Sequence, residues 1–258
     1  MKIASWNVNS LRVRLPQVQR WLAAAAPDVL ALQEIKLPDA DCPREELADA
    51  GYHVVCHGQR AYNGVALLAR SEPREVVRRL PTLDDDQSRT LAATIDGVRV
   101  LNLYVVNGQA VGSDEYDRKL DWLARVRDWV AEDLEAHPDY IILGDFNIAP
   151  DDRDVYDPAA WEERILCSTP ERLALQRLLD LGFVDTFRLF DQPEGVYSWW
   201  DYRNQAFRRN RGLRIDLILA SESMARRCTA SYVDKAPRGW ERPSDHAPVV
   251  AEFRDRRP

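Results

Sequence analysis

Short apolar runs rich in β-branched residues recur along the whole chain, and this pattern predicts strands over Lys2–Val8, Val29–Glu34, His53–Cys56, Val65–Arg70, Leu91–Ile95, Val98–Val106, Tyr140–Phe146, Arg214–Ala220 and Pro248–Phe253. Between some of them the apolar positions switch to helical spacing. Leu15, Val18, Trp21 and Leu22 form one stripe, Leu120, Leu123, Val126, Val130 and Leu134 a second, and Leu173, Leu175, Leu178 and Leu179 a third. An early strand–helix–strand order gives way to consecutive strands and then to strand–helix again. That mixture predicts an α/β sandwich with sheets inside and helices outside. An alternating βα barrel fits worse, because several consecutive strands have no helix between them. No repeat, low-complexity tract or Gly/Ser/Pro linker divides the sequence, so residues 1–258 read as one domain.

Composition narrows the class. The chain has 258 residues, 45% of them apolar and 30% charged, as in an ordinary soluble globular protein. A chain of this length can bury a core without disulfides or structural metals. Cys42, Cys56, Cys167 and Cys228 are too far apart for zinc-ligand spacing and are expected to be reduced, buried thiols. The N-terminus has no apolar signal region, and no apolar run approaches the roughly 18 residues of a membrane span. A cytoplasmic protein without a membrane partner is therefore expected.

The polar residues carry the chemistry. Asn7, Glu34, Asp145 and Asn147 each follow an apolar strand, where a loop begins, and Asp245-His246 precedes the last apolar run. Taken singly, such residues make turns or face solvent. Together, oxygen donors with one histidine and no cysteine suit a hard cation, Mg²⁺ or Mn²⁺, and hence phosphate chemistry. Asp216 lies inside an apolar strand, where a carboxylate needs a partner. That partner is either Arg214 or another arginine, or a histidine whose ring Asp216 orients. Of His53, His57, His137 and His246, only His246 sits beside another candidate ligand. Adjacent extended residues point oppositely, so Asp245 is expected to face a metal and His246 a substrate.

Charge bears on the partner. Lys and Arg number 35 against 42 Asp and Glu, a net charge of −7, which as a sum argues against nucleic acid. Yet Arg203, Arg208, Arg209, Arg211 and Arg214 occur with no intervening acid, beside Trp199, Trp200, Tyr202 and Phe207. Arginines among aromatics suit phosphate contact with base stacking; the alternative is a solvated basic loop over core tryptophans. Acid clusters such as Asp84-Asp85-Asp86 and Asp151-Asp152 account for much of the opposite charge and are expected away from the bound backbone.

The segments KIASWNVNSLR (2–12), PDVLALQEIK (27–36), YNGVALLAR (62–70), LNLYVVNG (101–108), ILGDFNIAP (142–150), YSWWDYR (197–203), NRGLRIDLILAS (210–221) and PSDHAPVVAEF (243–253) resemble, in order, those of the exonuclease III family of apurinic/apyrimidinic endonucleases. That family belongs to the endonuclease/exonuclease/phosphatase superfamily. The resemblance implies a four-layer α/β sandwich, two packed mixed β-sheets flanked by helices, of the deoxyribonuclease-I-like fold. It implies a Mg²⁺-dependent hydrolase (Mn²⁺ as an alternative) acting in base excision repair as a monomer. The substrate would be double-stranded DNA with abasic sites or blocked 3′ ends, and the activities incision 5′ to abasic sites, 3′→5′ exonuclease and 3′-phosphatase.

The resemblance also assigns positions. Glu34, Asn7 and Asp245 match the metal site, and the resemblance counts Asp145, Asn147 and His246 among its residues. Asp145 matches the aspartate proposed to activate water, Asn147 and Tyr104 contact the phosphate, and Asp216–His246 match an Asp–His pair. Asp145 and the Asp216–His246 pair remain alternative general bases. Arg12, Tyr62, Asn63, Asn107, Trp199, Trp200, Arg208, Arg209, Arg211 and Leu213 are expected on the DNA side, with Trp199, Leu213 and Ile215 forming the abasic pocket. Tyr62-Asn63-Gly64 reads equally as a tight turn. Asn9 stands where many relatives carry aspartate, Val106 where proline is common, and Leu213 where some carry tryptophan. A small-molecule or lipid phosphodiesterase of the same superfamily and a catalytically silent binding module are the competing readings.

Overall fold

The computed structural model describes residues 1–84 and 86–255; Asp85 of the acidic run and residues 256–258 lie outside it. The strands are β1 (Lys2–Asn7), β2 (Val29–Gln33), β3 (His53–His57), β4 (Val65–Ala69), β5 (Arg74–Val77), β6 (Thr90–Ile95), β7 (Val98–Tyr104), β8 (Tyr140–Asp145), β9 (Phe183–Asp185), β10 (Asp216–Ser221), β11 (Cys228–Val233) and β12 (Val249–Phe253). The helices are α1 (Leu11–Ala25), α2 (Arg44–Ala48), α3 (Asp114–Ala136), α4 (Pro158–Trp161), α5 (Thr169–Leu179) and α6 (Glu222–Ala225). One six-stranded sheet runs β11-β12-β1-β2-β4-β3 and the other β5-β6-β7-β8-β10-β9. Both are mixed, since β1–β2 and β7–β8 are parallel and the other pairs antiparallel.

Period-two alternation sets the layers. Ile3, Val29, Ala31, Val65 and Leu67 meet Leu91, Ala93, Val100, Ile141 and Ile218 of the other sheet in a shared core. The opposite face of the first sheet packs Ala4, Trp6, Leu30 and Leu32 on Val18, Trp21 and Leu22 of α1. The outer face of the second sheet packs Leu101, Leu103 and Ile142 on Trp122, Val126 and Val130 of α3 and Leu175 and Leu178 of α5. These cores give helix, sheet, sheet, helix in section, the four layers expected. Between the sheets lies a polar crossing: Gln33 donates to Ser5 (3.0 Å) and Asn102 (2.8 Å), and Asn102 donates to the carbonyls of Leu32 (3.0 Å) and Ala66 (2.9 Å). A slip of either sheet would leave these buried amides unpaired, so they fix the relation of the two sheets.

α3 starts where Ser113 accepts from the Tyr116 amide, with Asp114, Glu115 and Asp117 in its positive first turn. α5 starts with a capping box between Ser168 and Glu171. Two expectations are corrected. Leu173 of the third stripe is exposed, because the buried face of α5 runs through Leu175 and Leu178. Cys42 and Cys56 are joined as a disulfide, with Cα atoms 6.8 Å apart, leaving Cys167 and Cys228 as free thiols. The turn at Asp39–Asp41 brings Cys42 onto β3, a proximity that sequence spacing does not reveal. Among the described residues no helix is long and apolar enough to cross a membrane.

Candidate active site

Strand ends of both sheets converge on one edge. In the second sheet Tyr104 is registered against Asp145, and Asp145 against Asp216, so three functional side chains start from adjacent strands at one level. In the first sheet Asn7 pairs with Gln33, which places Glu34 just past the end of β2. Asp245 and His246 enter from the loop before β12. Glu34, Asn147 and the neighbouring Lys36 hold positive φ (50°, 49° and 55°), a conformation costly for residues other than glycine and concentrated where function requires a fixed pose.

The Asp216 alternative resolves toward histidine. Its carboxylate lies 2.9 and 3.1 Å from His246 Nδ1 and accepts from Ser198 Oγ at 2.6 Å. Arg214 turns the other way and is buried against Asp154 and Asp185. His246 Nε2 then points to Asp145, 3.7 Å from Oδ2. Asn7 bridges Glu34 and Asp145, donating 2.9 Å hydrogen bonds to both carboxylates. The Asn147 amide N–H donates to Asp145 Oδ1 (2.9 Å), and Asn107 donates to Asn147 Oδ1 (3.1 Å).

Burial raises the pKa of Asp145, with the Asp216 and Glu34 charges adding to the rise and His246 opposing it. Burial alone would lower His246, but the Asp216 and Asp145 carboxylates outweigh it and favour the imidazolium. Burial, with Glu34 and Asp145 nearby, pushes Tyr104 well above its ordinary value, so its hydroxyl stays a donor. Burial works against charge on Asp245, but His246 and the Trp199 and Asn9 hydrogen bonds keep its pKa low.

Ligand atoms of Glu34, Asp145 and His246 lie within 4.8 Å of one another. The Glu34 and Asp145 carboxylates, bridged by the Asn7 amide, are the hard oxygen donors a divalent cation takes, while His246, its ring held by Asp216, stands beside them as a cationic neighbour. Asp245 lines the same cleft, but its oxygens accept from Trp199 (3.1 Å) and Asn9 (3.0 Å). Asn9 thus serves as a neutral bridge, also accepting from Lys36 at 2.6 Å. Lys36 pairs with Glu34 at 2.8 Å.

The cleft has a volume of about 220 Å³ and sets this polar side against an apolar wall of Leu166, Trp199 and Ile215. Leu213 does not reach it: fully buried, it packs with Val155 and Trp199 behind the wall. Trp200 is likewise interior, bonded to Asn210 and stacked edge-on with Phe207. Neither offers a surface to DNA here, because both side chains are fully buried. Asn63 is largely buried and donates to Gln59 and Gln87, whereas Tyr62 is exposed. Arg12 is exposed and paired with Asp41. Arg208, Arg209 and Arg211 are exposed on one loop, and Arg203 begins it.

Sequence reasoning missed Lys36, Leu166 and Ser198. Lys36 lies inside a matched segment, two residues from Glu34, and that spacing was the available signal. Leu166 sits in an irregular loop at φ 74° with no pattern to mark it.

A model of the endonuclease/exonuclease/phosphatase family matches residues 4–246. The chain belongs to this family. Among relatives of this family member, exodeoxyribonuclease III of Haemophilus influenzae is 37% identical, covering 98% of this chain and all of the relative. An exodeoxyribonuclease of Bacillus subtilis is 32% identical, covering 96% of this chain and 98% of the relative. Among solved structures, the 3′ phosphatase NExo from Neisseria bound to a product DNA hairpin superposes with a TM-score of 0.97 at 50% identity, covering 98% of this chain and 99% of that one. An AP endonuclease from Archaeoglobus fulgidus gives 0.94 at 38% identity, covering 98% and 99%. The family member is accordingly a hydrolase of the DNA repair nuclease type, and the small-molecule or lipid phosphodiesterase alternative falls away.

Proposed function

We propose that the chain hydrolyses phosphoester bonds at blocked 3′ ends and abasic sites of double-stranded DNA, using Mg²⁺ held by Glu34 with Asn7, Asp145, Asn147, Asp245 and His246 around it. The observation that carries this reading is the series Ser198–Asp216–His246 ending 3.7 Å from Asp145, beside Glu34 and Asn7. When bound, the cation supplies charge neutralisation at the phosphoryl and leaving oxygens.

The protein's own groups do the rest. Asp145, held at Oδ1 by the Asn147 N–H and at Oδ2 by Asn7, accepts the proton of the attacking water. His246, kept charged between two carboxylates, stabilises the negative charge that develops on phosphorus oxygens. Tyr104 is a neutral donor toward the same oxygens. Asn107 keeps the Asn147 side chain in place. Bond cleavage leaves a 3′-hydroxyl.

The exposed arginines carry the electrostatic attraction, so the net charge of −7 does not oppose DNA binding locally. Arg208, Arg209 and Arg211 have no acidic partner among the described residues. Replacing Arg208 and Arg209 by alanine is expected to reduce the slope of log affinity against log salt by about 2, one unit for each phosphate no longer neutralised. Titration of a fluorescent duplex at several salt concentrations reads the slope, and an unchanged value would remove this loop from the DNA face.

The function is tested by parallel rates on an abasic-site duplex, a nicked duplex with a 3′-phosphate, and a simple aryl phosphate. Cleavage of either duplex far above the aryl ester is expected. Preference for the aryl ester would overturn the DNA assignment. We also infer a monomeric, cytoplasmic enzyme, as expected for a compact repair nuclease.

A further inference from the structure

Beneath the cleft lies an ion pair that takes no part in the chemistry above. Lys119 of α3 and Glu171 of α5 are both completely buried and bonded to each other. The ammonium has three donors, and the structure gives it three acceptors: Glu171, the Asn147 carbonyl (2.7 Å) and the Asn107 carbonyl (3.1 Å). Glu171 also accepts from the Leu166 amide (3.1 Å), the Ser168 amide (3.1 Å) and the Ser168 hydroxyl (2.6 Å).

The pair therefore grips both walls of the cleft. On one side it holds the backbone of Asn107 and Asn147, whose side chains are themselves bonded. On the other it holds Leu166 of the apolar wall. Asn147 and Leu166 both have positive φ, at 49° and 74°, so each needs external support to keep its pose. A buried ion pair is a poor source of stability compared with apolar packing of the same volume, so folding alone gives it no advantage at this place.

We propose that Lys119–Glu171 is a positioning pair that sets the distance between the Asn147 side and the Leu166 side of the cleft, and so turnover. The proposal rests on the phosphoesterase reading, and its test separates the two. Lys119→Met and Glu171→Gln are compared with the wild type on the 3′-phosphate duplex, each below its own unfolding temperature. Arg99→Met is the control, because Arg99 is buried against Asp133 at the far end of β7 and touches nothing in the cleft.

Lys119→Met is expected to lower kcat about 10- to 100-fold with KM changed less than about threefold, since small misplacements of positioned groups have effects of this order. Glu171→Gln, which keeps the side-chain shape, should lower kcat in the same sense by a smaller factor. Arg99→Met should lose stability and keep kcat. The inference is overturned by wild-type kcat in folded Lys119→Met. Should that variant fail to fold, wild-type kcat in Glu171→Gln overturns it, as does an equal loss in Arg99→Met. A wild type without activity on this duplex removes the phosphoesterase reading and the pair's role with it.

Discussion

Replacing His246 by glutamine is expected to lower turnover about 10²–10³-fold while the protein stays folded. The imidazole is fully enclosed by groups arranged to use it. Nδ1 faces Asp216, and Nε2 faces Asp145 and the cleft. Ser198 in turn holds Asp216, accepting from the Ile215 and Asp216 amides while donating to the carboxylate. Glutamine preserves a donor toward Asp216, which limits the cost of leaving that carboxylate buried and unpaired. It cannot carry the positive charge at the phosphoryl oxygens. Asp145→Asn is expected to cost turnover on the same scale, because the amide accepts no proton from water. Steady-state kinetics on purified variants, with circular dichroism to verify folding, measures both. Turnover within tenfold of wild type in either folded variant would contradict the assigned roles.

The second large effect concerns stability. Arg214→Met should destabilise the protein by about 3–5 kcal/mol, the cost of leaving buried carboxylates without their cation. Arg214 is 1% exposed, with Nε 2.6 Å from Asp154 and a second nitrogen 2.7 Å from Asp185. Burial disfavours its charge, but these two carboxylates outweigh that and hold it protonated. Asp154 would keep Arg188 at 2.6 Å, whereas Asp185 would lose its ion pair. For a chain of this size the loss corresponds to a Tm lower by roughly 6–20 °C. Calorimetry reads it, and an unchanged Tm would contradict the structural role. The salt dependence of DNA binding should stay that of wild type, unlike that of the Arg208/Arg209 variant.

Arg214 also shows where sequence reading reached its limit. In the linear order it completes a basic run, and only the fold reveals that Arg208, Arg209 and Arg211 face solvent while Arg214 faces inward. Trp200 and Leu213 were misread for the same reason: the segment before β10 is irregular, and without a period nothing marks inside from outside. Regular elements were legible where burial imposes a period. The central strands β1, β2, β4, β7, β8, β10 and β12 lie within a residue or two of their expected bounds. β5, β9 and β11 went unseen because they are short or half-exposed strands toward the sheet edges, with little apolar signal, as in the REVV of β5 and the FVD of β9.

The site was legible because its carboxylates and carboxamides interrupt apolar strands at their ends, where a buried polar group needs a purpose. Lys36, Ser198, Leu166 and Lys119 act through tertiary contacts with residues distant in sequence, or from loops without pattern. The disulfide of Cys42 and Cys56 depends likewise on a turn that no spacing rule announces.

The central claim is that the Glu34–Asp145–His246 edge is a metal-dependent phosphoesterase centre for DNA ends. It is tested most directly by measuring inorganic phosphate released from a nicked duplex bearing a 3′-phosphate, in Mg²⁺, in EDTA, and after Mg²⁺ is restored. Release in Mg²⁺, its loss in EDTA and its recovery on readdition are predicted, with release by His246→Gln in Mg²⁺ at least about 10²-fold slower than wild type. Release that persists undiminished in EDTA, or folded wild-type protein that neither releases phosphate nor incises an abasic-site duplex in Mg²⁺, would contradict it.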